Sequence, residues 1–229
     1  MSRALQTSAA PSRVEIRRVR TRMQLLRSAH VLMSTEGVDM TTIQAITAHA
    51  DVGFGTFYNY FKSKEDIAAR VLDCVINNLG VRNDAANSSA GIVDPVQVVA
   101  NSVRLVAREM MSNRMWHWWV RRPDLLVERM RAGFESFGLR DMKNALETGR
   151  YSIINNDTRT AWSCLIWLLA GGIKDIVDGY GPSNSDKMIA AAVMRVMGVD
   201  REDVDSVVGK KLPPYPKIDI DFEFSLDEH

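Results

Sequence analysis

Residues 41–66, TTIQAITAHADVGFGTFYNYFKSKED, constrain the fold more than any other stretch of the chain. Thr41 with Gln44 three residues later reads as a capping box that starts a helix, with Thr41 as N-cap. Ile43 and Ile46, with Ala45, Ala48 and Ala50, give that short helix one small apolar face, and Asp51-Val52-Gly53 breaks it. A second short helix is predicted over Phe54–Tyr60, and Ser63 with Asp66 starts a third by the same device. Two short helices joined by a tight turn form a helix-turn-helix, whose second helix enters the major groove of DNA. Phe57 and Phe61 are assigned to the small core of this unit.

Charge is distributed accordingly. The 229-residue chain carries a formal net charge of only +1, too little for a nonspecific architectural DNA-coating protein. Yet residues 1–35 hold seven arginines against a single acid, Glu15. Arg17, Arg18, Arg20 and Arg22 adjoin the motif and are placed to attract phosphates through a salt-dependent term. Residues 1–12 read as a flexible, solubilising arm.

The motif resembles the operator-binding domain of the TetR family of bacterial one-component repressors. The family pattern is a TT-x-x-x-I helix, a turn containing A-G-V-S, a G-T-x-Y-x-x-F recognition helix and a K-x-x-L helix start. This chain has Thr41-Thr42, Ile46, Ala50-Asp51-Val52-Gly53, Gly55 to Phe61, and Lys64 with Ile67. It departs at Asp51, where the family usually has Gly, and at Gly53, where it usually has Ser. Asp tolerates left-handed backbone better than most residues, and Gly in place of Ser at an N-cap costs only a few tenths of a kcal/mol. The match covers about residues 20–70; beyond it the chain agrees only in being helical.

The resemblance implies a DNA-facing set of Gln44, Gly53, Phe54, Gly55, Thr56, Tyr58 and Asn59, with Thr42, Tyr60 and Lys64 reaching phosphates. The residue types suit the task, because Gln and Asn pair bidentately with adenine and a Thr methyl or aromatic edge meets the thymine methyl.

Helical periodicity continues to the end of the chain, and no strand pattern appears. A first helix is predicted over about 14–35, closed by Gly37, and a long one after Ser63 carries Ile67, Val71, Leu72, Val75, Ile76 and Leu79 as its stripe. Asn83–Gly91 reads as a polar loop, and Asp94-Pro95 opens the next helix. Further helices are expected at about 95–112, 115–120, 123–149, 157–179, 184–198 and 200–209. The fold class is therefore all-α: an arm at 1–12, a three-helix helix-turn-helix domain at 13–66, a larger helical ligand-binding and dimerisation domain at 67–211, and an acidic extended tail at 212–229. In that tail Ile218, Ile220, Phe222 and Phe224 alternate, which fits either docking along a surface or a loose end.

Three expectations concern the larger domain. Leu165, Leu169, Ile173 and Ile176, with Ala191 and Arg195 on the following helix, form a stripe suited to a four-helix interface across a two-fold axis, as in relatives; an intramolecular core fits the same stripe. Trp116, Trp119, Met130, Phe134 and Trp162 belong to a region rich in aromatic and Met side chains. That composition suits either a deformable pocket for a lipophilic or aromatic effector or an ordinary helical core. Arg114, Arg121, Arg122 and His117 stand near enough in sequence to meet an anionic head group, or to form an exposed linker.

No G-x-S-x-G, Walker loop, dinucleotide fingerprint or H-E-x-x-H occurs, so the chain is not read as an enzyme. The four His and two Cys lack metal-ligand spacing, and neither a metal nor a cofactor is expected. Without an apolar leader, and with Ala161–Ile173 too short to span a bilayer, a cytoplasmic location is expected. The function that follows is a homodimeric, ligand-responsive repressor of a palindromic operator. The alternatives are a helix-turn-helix protein without a small-molecule switch and, more remotely, a helical enzyme.

Overall fold

The computed structural model describes residues 12–182 and 185–223. All regular structure among them is helical. Helices α1 (Arg13–Glu36), α2 (Ile43–His49) and α3 (Phe54–Phe57) make the N-terminal unit, and α4 (Lys64–Ser89) leads out of it. Next come α5 (Pro95–Ser112), α6 (Arg114–Val120), α7 (Pro123–Glu147), α8 (Thr158–Val177), α9 (Asp186–Val196) and α10 (Arg201–Gly209).

The helix starts follow the capping chemistry, with one shift. α1 begins at a full capping box between Ser12 and Glu15. The cap of α2 is Thr42, whose hydroxyl accepts the Ala45 N–H; the expected N-cap Thr41 is instead fully buried and donates to the Gly37 carbonyl. Gln44 is thus one place too early for a capping box and is left exposed. Ser63 caps α4 through the Asp66 N–H, while the Asp66 carboxylate takes the Lys62 N–H. Asp94 and Pro95 open α5 as expected.

One predicted loop is helix. Asn83–Gly91 was expected to be polar and irregular, but α4 continues to Ser89, with Asn83 and Asn87 buried. Asn87 joins a hydrogen-bonded chain of amides: Asn87 donates to the Asn83 backbone carbonyl at 3.0 Å, Asn101 donates to Asn87 at 3.0 Å, Gln97 donates to Asn101 at 2.9 Å, and Gln97 also reaches the Val207 carbonyl of α10. Buried polar groups are stable when hydrogen-bonded, so a polar run here marks a helix–helix seam.

α5 is the axis of the larger part, packed against α4 and α6–α10. Arg104 of α5, buried to 2%, binds Asp186 at the start of α9 at 3.0 Å and the Lys210 carbonyl at 2.8 Å. By length and composition α8 is apolar enough to cross a membrane, but Leu165, Ile166, Leu169, Ala170 and Ile173 are buried among its helical neighbours. Gly172 lets α9 approach, since a Cβ there would lie 2.7 Å from Ile189.

The expected dimer stripe divides between the inside and the outside of the single chain. Leu165, Leu169 and Ile173 are buried within a single chain, so their hydrophobicity is already spent on the intramolecular core. Ile176 and Ala191 are half-buried and Arg195 is exposed. The outward faces of α8 and α9 carry other large apolar groups, Trp167 at 47% and Met188 at 67% exposure.

The tail is docked as far as it is described. Asn78 of α4 donates to the Ile218 and Asp219 carbonyls, and Arg82 donates to the Pro216 carbonyl and stacks over Tyr215 at 3.9 Å. Phe222 is buried against His30 of α1. Phe224 lies outside the described residues, as do most of the N-terminal arm and the 224–229 end of the tail.

Two glycines allow close helix contacts around α4 and α7. A Cβ on Gly80 would enter the Phe137 ring, and one on Gly138 would enter the Trp162 ring. Gly138→Ala should therefore lower stability. The gain in helix propensity, ~1 kcal/mol, is smaller than an overpacking cost of ~1–3 kcal/mol. Urea denaturation with an unchanged m-value would report the loss.

Candidate DNA interface and effector cavity

The helix-turn-helix is closed by backbone geometry. Asp51 takes φ 53°, the left-handed conformation the turn requires, and the Val52 N–H returns to the Thr47 carbonyl at 3.0 Å. Gly53 caps α3 without a side-chain acceptor, and its carbonyl takes the Thr56 N–H at 2.8 Å. α3 itself spans only Phe54–Phe57; a turn through Tyr60 prolongs it, shorter than the predicted helix. Phe57 and Phe61 are buried and tilted together at 5.6 Å, with the Arg22 guanidinium 5.4 Å from the Phe61 ring.

Anchoring that face inward turns the other face out. Thr42, Gln44, Gly53, Phe54, Gly55, Tyr58 and Asn59 are exposed; Thr56, Tyr60 and Lys64 are half-buried. Phe54 and Tyr58 are each 53% exposed and meet edge-on at 5.7 Å, a stiff aromatic pair on the open side of the unit. Lys64 donates to the Asp39 carbonyl at 3.0 Å, so its ammonium is held beside the α1–α2 connection at the start of α4. His49 bonds the Ser28 hydroxyl at 2.9 Å and fixes α2 on α1.

The second site is a cavity of about 70 Å³ between α4, α5, α7 and α8. Its apolar wall includes Phe134, Phe137, Trp162 and Leu169, and its polar groups are Asn83, Asp84, Ser102, Asp141 and Tyr151. At about 10–15 Å³ per water, a space of this size holds roughly five waters, or ~150 Å³ of liquid, enough for one aromatic ring. Outside it lies an open polar hollow that shares Asp84 and Asp141 and adds Arg140.

Of the five expected ligand residues, Phe134 and Trp162 line this cavity, while Trp116, Trp119 and Met130 do not. α6 packs its tryptophans against α1, α7 and α8, and Trp116 and Met130 are fully buried in solid core. Arg121 and Arg122 are engaged elsewhere, with Asp178 at 3.3 Å and over the Trp118 ring at 3.8 Å. The sequence signal missed for the cavity was the amide run on α4: read as a loop, it hid Asn83.

The electrostatics of the wall are uneven. Burial, then the nearby Asp84 charge, push the Asp141 carboxyl above its ordinary value, and the Arg140 ion pair at 2.7 Å offsets this only in part. Arg140 also grips Asp84 with two bonds of 2.6 and 2.9 Å, and its own pKa is raised chiefly by them. Burial likewise raises the Tyr151 hydroxyl, which meets the Met194 sulfur at 3.8 Å. The Asn83 side-chain oxygen is buried with no hydrogen-bond partner among the described residues. A buried acceptor left empty is costly.

Comparisons with known proteins place both parts. The pattern of bacterial regulatory proteins of the tetR family matches residues 25–71, and that of the tetracyclin repressor-like C-terminal domain matches residues 94–210. The chain belongs to the TetR family of bacterial transcription regulators, with an N-terminal helix-turn-helix DNA-binding unit and a helical C-terminal part. Among solved structures it is similar to RolR in complex with resorcinol, at 29% identity and a TM-score of 0.78, covering 88% of this chain and 99% of RolR. RolR without ligand aligns at 28% identity with a TM-score of 0.76, covering 85% of this chain and 100% of that one. Thermus thermophilus FadR in complex with lauroyl-CoA shares the fold at 21% identity and a TM-score of 0.54, covering 77% of this chain and 92% of FadR. No curated protein sequence matches significantly.

The raised Asp141 pKa gives a stability signature. Folded Asp141 takes up a proton at higher pH than the unfolded residue near 3.8, so its charge opposes folding at neutral pH. Its contribution becomes more favourable as pH falls through the folded value toward 3.8. The Tm difference between wild type and Asp141→Asn, measured from pH 7 to pH 4, should therefore shift in favour of wild type on acidification.

Proposed function

We propose that the protein is a homodimeric, ligand-responsive repressor whose effector is a small, single-ring hydroxylated aromatic compound. The observation that carries this reading is the ring-sized cavity, apolar on its walls but holding the unpartnered Asn83 acceptor and the Asp141 carboxylate. A phenolic ring fills the apolar space beside Phe134, Phe137 and Trp162, and its hydroxyls donate to Asn83 and to the carboxylates at the mouth. That resorcinol is the ligand of RolR, 29% identical over most of the chain, supports the same chemistry.

In the DNA-bound form, two copies set their exposed Gln44, Phe54, Tyr58 and Asn59 in successive major grooves of a palindrome, about 34–36 Å apart. Thr42, Tyr60 and Lys64 face the phosphates beside them. The effector binds the DNA-incompetent form more tightly and moves α4, which belongs to both sites. A coupling of about 1–3 kcal/mol, or roughly 5–150-fold in operator affinity, is typical for such linkage. The protein acts in the cytoplasm, where operator and effector meet.

Titration with resorcinol tests this directly. Trp162 emission should be quenched in parallel with release of duplex DNA drawn from the promoter region beside the protein's own gene. Asn83→Ala should weaken effector binding by about 2–10-fold, the worth of one neutral hydrogen bond. Tyr58→Ala should weaken DNA binding and leave the quenching intact. DNA binding that ignores every phenol screened would leave a repressor without this switch.

The proposed dimer pairs through the outward faces of α8 and α9, around Trp167, Gly171, Met188, Ala191 and Arg195. Trp167 and Met188 are large and exposed in the single chain, and a Cβ on Gly171 would meet nothing within 4 Å, leaving room for a second backbone. Trp167→Glu should bring two like charges together at the two-fold interface and yield a soluble monomer by light scattering, with operator affinity lost and helical content kept. A stable Trp167→Glu dimer would move the interface elsewhere.

A further inference from the structure

Residues 71–229 are acidic on balance, with 19 Lys and Arg against 22 Asp and Glu. Within them the outer face of α5 nevertheless opens onto a basic hollow of about 610 Å³. Arg104, Leu105, Arg108 and Ser112 recur at helical spacing on that face, whereas Val99, Val103 and Val106 face the aromatic cavity. The two spaces share no lining residue. Lys187 near the start of α9 forms another wall, and Lys210, Lys211, Leu212 and Pro213 after α10 complete it.

Two guanidinium groups here share one carboxylate. The Nε atoms of Arg104 and Arg108 both bond the same oxygen of Asp186, at 3.0 and 3.1 Å. Arg104 is 2% exposed and also donates to the Lys210 carbonyl at 2.8 Å. The Arg108 side chain is 53% exposed, and among the described residues Nε is its one bonded nitrogen. Asp186 therefore fixes how the fork is held while both terminal nitrogens stay open to the hollow. A fork presented in this way suits bidentate binding of an oxyanion.

The remaining charges are unbalanced. Lys187, Lys210 and Lys211 are exposed, and none of their ammonium groups has a carboxylate partner among the described residues. Glu109, the acid on the lining, is held from behind by Arg82 at 3.6 Å. Six cations against Glu109 and Asp186 leave a surplus of four positive charges around the hollow. Like charges gathered in this way repel, and a bound anion relieves the repulsion. Leu105 and Pro213 are buried and Leu212 is half-buried, so an apolar floor adjoins the cations.

We propose that this hollow binds a small phosphorylated molecule, its phosphates on Arg108, Lys187 and Lys210 and its carbon body on Leu105, Leu212 and Pro213. A phosphate carries nearly two charges and three acceptor oxygens, enough to meet donors from α5, α9 and the segment after α10 at once. A monocarboxylate offers one charge and two oxygens. The hollow is far larger than one phosphate and lies within the ~300–1,000 Å³ of small-molecule sites.

Calorimetric titration of the full-length, DNA-free protein with inorganic pyrophosphate and with adenosine diphosphate tests this site. Pyrophosphate should bind once per chain and slow amide exchange at residues 185–188 and 209–212. Adenosine diphosphate should bind more tightly, because its body reaches the apolar floor. Arg108→Ala should weaken pyrophosphate binding about 10–100-fold, the worth of a charge-assisted pair, and Arg108→Lys should recover only part of it. Arg104 still holds Asp186 in both variants, so helical content should be unchanged. Lys187→Ala, which breaks no ion pair among the described residues, should weaken binding about 3-fold or more. Citrate, similar in charge to pyrophosphate, should bind less tightly. Absence of binding by both phosphates overturns the site, as does pyrophosphate binding that ignores the Arg108 and Lys187 substitutions or protects only α1. Citrate binding as tight as pyrophosphate overturns phosphate as the ligand class. Adenosine diphosphate no tighter than pyrophosphate overturns the apolar subsite.

Discussion

α4 is the constraint on which the rest of the molecule depends. It is one helix of 26 residues, ~39 Å long, and both candidate sites are built on it. Its first turns carry Ile67, Val71 and Leu72 into the core shared with α1, next to the cap where Lys64 holds the Asp39 carbonyl. Its last turns present Gly80, Asn83 and Asp84 to the cavity. No Gly–Pro break separates the halves, so a displacement at the cavity end has no hinge inside the helix to absorb it.

What keeps α4 in place is a pair of facing contacts with α7. Arg129 binds Asp73 with bonds of 2.6 and 2.7 Å, and Arg140 binds Asp84 about three turns further on. Between these clamps Gly80 accepts the Phe137 ring and Gly133 accepts Ile76. The ion pairs are partly exposed and contribute modestly to stability, but paired guanidinium–carboxylate geometry fixes register well. The helices therefore sit at a defined offset with little slack.

Much of this was legible in the sequence, and the misses share a cause. The helix-turn-helix was readable because it depends on local chemistry: caps, a left-handed Asp51 and two anchoring phenylalanines within a few residues. α5 was readable from Asp94-Pro95 and its periodic Val and Ala. The cavity was not, because its wall is assembled from four helices and its polar members look like surface. Asn83, Asn87 and Asn101 carry no apolar signal; only burial against one another reveals them as interior. The aromatic cluster at Trp116–Trp119 fits pocket or core equally in sequence, since large aromatic side chains fill cores as readily as they line pockets, and the structure buries it. For Leu165 and Leu169 the stripe itself was real, but periodicity does not say which neighbour, the same chain or a second copy, covers a helix face.

On the proposed reading, the same tightness that defines α4's position also makes a small effector sufficient. A ring entering beside Phe137 and Trp162 meets two side chains already seated in the gaps above Gly80 and Gly138. Neither has room to retreat inward, so one route to accommodation is a shift of α4 or α7 as whole bodies. Packed helices respond in discrete steps instead of deforming continuously, which converts a local volume change into a change of helix placement. At the far end that placement is the orientation of Tyr58 and Gln44. The effector needs to prefer one arrangement by only ~1–3 kcal/mol to be useful, and filling one empty acceptor such as Asn83 in only one of the two arrangements is of that order.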